Sequence, residues 1–89
     1  MKTEDDIILI INRIIEKNDP MGLIALGCPK NEYHPEAKKI ADILIKDNTM
    51  VCSSKIVHDV LLEMFDKEFT LEECTNIAKE ITKALFIKE

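Results

Sequence analysis

Asp19, Glu32, Tyr33, His34 and Glu36 are the densest set of reactive side chains in the chain. One use for them is proton transfer. A carboxylate and His34 would serve as general base, with Tyr33 orienting a substrate, since an imidazole changes charge near neutral pH. The other use is structural. Asp19 and His34 each precede a proline and suit helix caps, and Glu36 complements a helix dipole. Tyr33 then covers the core with its ring while its hydroxyl finds a partner. The structural use takes precedence, because no nucleophile–base pair, oxyanion hole or glycine-rich phosphate cradle accompanies these residues.

Metal chemistry would draw on Cys28, His34, Cys52 and His58, whose spacing matches no ligand pattern. His58 sits beside the apolar stripe of its helix and reads as a partly buried, hydrogen-bonded side chain. No metal and no cofactor are expected. The three cysteines, Cys28, Cys52 and Cys74, are an odd and widely spaced set, which fits reduced thiols in a cytoplasmic protein. Cys74 falls on an apolar stripe and reads as a small hydrophobe. A helix-turn-helix reading of the last two helices fails on charge. Its reading helix would open with Glu72 and Glu73, which phosphate repels.

The reactive set lies inside a longer unusual stretch, Asp19 to Glu36, which holds all three prolines, both glycines and the only tyrosine. The rest of the chain reads as amphipathic helix. A chain of 89 residues has room for one domain, 1–89, and its 46% apolar and 33% charged residues are globular values. Aromatic residues are scarce, so the core must be aliphatic. The net charge of −5 argues against nucleic acid and anionic membranes and suits solubility or a basic partner. Ile7 to Ile11 is the longest apolar run and cannot span a bilayer. The acidic start, Glu4-Asp5-Asp6, is unlike a signal peptide.

The elements that must position the stretch follow from periodicity. Thr3 caps a first helix from about Glu4 to Lys17, with Ile7, Ile11, Ile14 and Ile15 on one face. Asp19-Pro20 starts a short helical turn that Gly27 ends, with Pro29 blocking its resumption. His34-Pro35 starts the next long helix with Pro35 at its first position, and its stripe is Ala37, Ile40, Ala41, Ile43 and Leu44. Ser53 or Ser54 caps a third long helix, whose stripe is Val57, Val60, Leu61, Met64 and Phe65. Thr70 and Glu73 form a capping box, Phe69 packs on Cys74 as a staple, and Leu71, Cys74, Ile77, Ala78, Ile81 and Leu85 make the last stripe. The expected fold is all-α, a compact bundle of four amphipathic helices with a short extra helical turn between the first and second.

Three motifs in order carry a resemblance. They are Asp19-Pro20-x-Gly22, then Pro29-x-x-Glu32-Tyr33-x-Pro35-Glu36-Ala37-Lys38-Lys39-Ile40, then Phe69-Thr70-Leu71-Glu72-Glu73-Cys74. Together they resemble the YugE-like family of small helical proteins from Gram-positive bacteria, over most of the chain. The resemblance implies a compact all-α domain and no particular activity. Asn18 and His34 depart from the family pattern, which has an aromatic residue before Asp-Pro and an aspartate at the second position. The first departure removes an anchor, and the second weakens a cap. The Asp-Pro-x-Gly and Glu-Tyr segments also look like those of small acidic immunity-type proteins that neutralise a toxin partner.

The functional expectation is a non-enzymatic protein-interaction module of the cytoplasm, an immunity-type inhibitor being one form of it. Asp19, Pro20, Met21, Leu23, Glu32, Tyr33 and His34 are the candidate partner-binding residues, because a proline-stiffened connector can hold an apolar patch rimmed by acids. The partner would be a protein, basic or a toxin. The alternative is a small enzyme or ligand-binding protein using Asp19, Glu32, Tyr33 and His34. A homodimer stays open, since so apolar a first helix has surplus isoleucine to hide.

Overall fold

Four stretches with apolar residues at helical spacing become four helices in a computed structural model that describes residues 3–19, 22, 27, 33–48, 51–66 and 68–86. They are α1 (Glu4–Asn18), α2 (His34–Lys46), α3 (Ser54–Phe65) and α4 (Leu71–Phe86). No strand occurs among the described residues. Each helix packs on its neighbours in the chain, and α4 returns against α1 to close the bundle. The radius of gyration, 12.1 Å, is the value of a compact chain of this length, about 12 Å.

Local chemistry sets the helix ends. Thr3 and Asp6 form a complete capping box at α1, each side chain accepting the other's backbone N–H at 3.2 Å. Glu4, Asp5 and Asp6 fill the first turn, where the helix dipole favours negative charge. Ser53 accepts the Ile56 N–H at 3.2 Å and caps α3. Thr70 accepts the Glu73 N–H at 3.1 Å, and its hydroxyl donates to the Glu73 carboxylate at 3.2 Å. Phe69 and Cys74 flank that cap and are both buried, which supports the expected staple. At their C-terminal ends α1 and α3 close through Asp19 and Asp66, both left-handed, with φ of 46° and 53°.

Two starts differ from the sequence expectation. His34 does not cap α2. It is the first helical residue, Tyr33 takes the cap position without a side-chain cap bond, and Pro35 is second. Proline is tolerated there because the first-turn N–H groups have no helical partner in any case. Asp19 caps differently too. Its N–H bonds to the Ile15 carbonyl at 2.8 Å and ends α1, and its own carbonyl accepts the Gly22 N–H at 2.9 Å. Gly22 has a positive φ of 70°. The extra helical turn expected after Asp19 falls on Pro20, Met21 and Leu23–Leu26, outside the described residues.

The core is aliphatic, as the composition requires. Ile11, Ile15, Ile40, Leu44, Leu61, Ile77 and Ile81 are among its most enclosed side chains. Ile14, Ile43 and Phe65 pack on it while partly exposed. Two stripe residues are not in it. Leu71 is 73% exposed, because a helical side chain leans over the preceding turn and the first residue of α4 has none beneath it. Phe69 occupies the core there instead. Met64 is 38% exposed, while the neighbouring Phe65 ring packs edge-on against Tyr33.

Candidate functional site

Among the described candidate residues, Tyr33 and Glu36 are enclosed, Asp19 is half-buried and His34 is exposed. Tyr33 is fully buried. Its hydroxyl donates to Asp19 Oδ1 at 2.7 Å across 14 positions of sequence, and its ring meets Phe65 edge-on at 6.1 Å between centroids. One side chain thus joins the C-terminal end of α1, the start of α2 and the end of α3. A hydrogen bond to a carboxylate contributes about 1.5–3 kcal/mol when enclosed, and an edge-to-face pair about 0.5–1.5 kcal/mol beyond its burial. This corrects the placement of Tyr33 on a contact surface. With no exposed area, it holds the connector rather than touching a partner. Glu36 is buried in the first turn of α2, where the helix dipole favours its charge.

His34 is exposed and lines a shallow groove between the first turns of α1 and α2, together with Glu4, Asp5, Ile8, Leu9 and Lys38. The groove encloses about 420 Å³. Neither Asp19 nor Tyr33 lines it, so the described members of the Asp–Tyr–His set do not converge on one space. Leu9, from the first apolar run, is 49% exposed there beside buried Ile8. Of the remaining candidates, Pro20, Met21, Leu23 and Glu32 lie outside the described residues.

Sequence reasoning did not single out Leu9, Lys38 or Thr82. Leu9 sat unremarked inside an apolar run, and its exposure depends on how far α2 covers α1. Thr82 accepts the Cys52 N–H at 2.9 Å and donates to the Cys52 carbonyl at 3.2 Å, fastening the segment before α3 to α4. A polar position next to the α4 stripe was the signal available, but its partner is 30 residues away.

Cys52 and Cys74 are committed to packing and His58 to local pairing. Cys52 and Cys74 are free and buried. Burial pushes the Cys52 thiol up to about 12, and burial followed by the nearby Glu73 charge raises Cys74 as well. Neither is poised as a nucleophile. Cys28 lies outside the described residues. His58 is partly exposed and pairs with Asp59 at 3.4 Å and Glu68 at 3.3 Å, matching the hydrogen-bonded reading. Among the described residues no group of side chains suits a metal ion, and no helix is long and apolar enough to cross a membrane. Compared with protein-family models, with curated protein sequences and with solved structures, the chain matches none.

Proposed function

We propose that the protein is a non-enzymatic, cytoplasmic interaction module that binds another protein chain through the groove between α1 and α2. The observation that carries this reading is Leu9. A leucine half open to water, next to buried Ile8 and sharing the groove with Glu4, Asp5, His34 and Lys38, has the form of a small apolar anchor with a charged rim. The groove keeps His34 from the original candidate set as a rim residue. The Tyr33–Asp19 hydrogen bond ties the end of α1 to the start of α2. A net charge of −5 is compatible with a basic partner, toxin neutralisation being one form of this reading. Membership of the YugE-like family belongs to the same proposal and rests on the three sequence motifs.

The test is a photo-crosslinking amino acid placed at Leu9 and, as control, at Leu71, the more exposed leucine on α4. Position 9 should give a discrete covalent adduct with a protein in living cells, and position 71 should not. Equal adducts from both positions, or none from position 9, would remove the groove from consideration.

A further inference from the structure

The groove between the first turns of α1 and α2 has a two-sided charge layout. Glu4, Asp5, Ile8 and Leu9 line it from α1, and His34 and Lys38 line it from α2. Glu4, Asp5, His34 and Lys38 are exposed. No ion pair crosses the opening among the described residues. Those that form lie elsewhere, between Lys17 and Glu80, Lys39 and Glu63, and around His58. Glu4 and Asp5 thus face Lys38 across one opening with no ion pair between them, beside a leucine that water half covers.

We infer that the occupant of this groove is a second copy of the chain, docked about a two-fold axis that runs along the groove. The inference rests on reading the groove as protein-binding and supplies the partner. An isologous contact requires a surface complementary to itself. Turning a copy about an axis along the groove lays its acidic side over the Lys38 side beneath, twice, and brings both Leu9 side chains into the shared opening. A two-fold axis across the groove would lay acid on acid, so the charges select the first arrangement. A uniformly basic protein would satisfy the α1 wall and be repelled by Lys38. The net charge of −5 on each copy opposes association, but charges more than about 8 Å apart are largely screened at physiological ionic strength. The wall charges meet at contact and escape that screening. A contact confined to one shallow groove should be weak, so association should depend on concentration.

Light scattering or sedimentation across micromolar to millimolar concentrations, at physiological salt, tests this. The mass should rise from 10.2 kDa towards twice that value. Leu9→Asp should hold it at the monomer, and Leu71→Asp should leave the rise unchanged. Asp5→Lys and Lys38→Glu should each move the midpoint to concentrations at least about tenfold higher, through like charges brought together. An equimolar mixture of the two should restore association to the wild-type midpoint, because each altered wall then meets its opposite. Circular dichroism checks that every variant is folded. A chain monomeric throughout overturns the inference, as does association indifferent to Leu9→Asp or a mixture no stronger than either variant alone. A monomeric chain that still crosslinks to another protein from position 9 refutes self-association while sparing the interaction reading. A monomeric chain that crosslinks to nothing refutes both.

Discussion

Cys52 shows at the scale of one residue how burial controls chemistry. Its thiol is enclosed by the core while its backbone is clamped by Thr82. Desolvation disfavours the thiolate and lifts the Cys52 pKa to about 12 in the folded state. An unfolded cysteine titrates near pH ~8.5. The folded state therefore holds its proton more tightly, so this contribution is fully present below about pH 8.5 and is lost as pH rises from there towards 12. Denaturant unfolding between pH 7 and 10 should show stability falling across the upper part of that range. Cys52→Ala should flatten the fall even if it costs stability at pH 7. An unchanged slope in that variant would mean that the Cys52 thiol is not the group responsible.

The elements are held in register by ties that bridge distant parts of the sequence. Asn18 donates to the Ile14 carbonyl at 2.8 Å and to Glu80 at 3.1 Å, which links the end of α1 to α4. Tyr33 links the end of α1 to the start of α2. Tyr33→Phe keeps the ring and its packing on Phe65 but removes the donor to Asp19. It should lower stability by about 1–2 kcal/mol in urea unfolding, with helix content unchanged. A loss under about 0.3 kcal/mol would show that water replaces the hydroxyl at Asp19 without penalty. The helices themselves were legible because apolar residues three and four apart define a buried face whatever the rest of the chain does. Ser53, Thr70 and Phe69 were legible for the same local reason. The start of α2 was misplaced by one residue because proline fits either of the first two positions. Leu71 and Met64 were misassigned because periodicity treats a helix as endless, whereas an end residue lacks neighbours on one side. The pairs Tyr33–Asp19, Thr82–Cys52 and Asn18–Glu80 were invisible, since nothing local specifies which distant side chain arrives opposite. The groove was missed as a unit for that reason, although His34 was among the candidates.

At the scale of the whole molecule, closure decides how the protein unfolds. α1 touches both α2 and α4, and α3 touches both α2 and α4, so removing any one helix strips cover from two others. The surface ion pairs add little to this, because exposed pairs contribute at most about 1 kcal/mol each and are screened by salt. Cohesion must come from the shared aliphatic core, which predicts one cooperative transition. Tyr33 makes that measurable, being the only tyrosine in a chain without tryptophan. Its fluorescence reports the junction of α1, α2 and α3, whereas far-ultraviolet circular dichroism reports all four helices. Urea titrations followed by the two signals should superimpose, with the same midpoint and slope. If fluorescence moves at lower urea than circular dichroism, the connector end opens before the helices melt. Tyr33 would then be a latch on a separately folding core, and the Asp19–Tyr33 tie would contribute less to the bundle than its burial suggests.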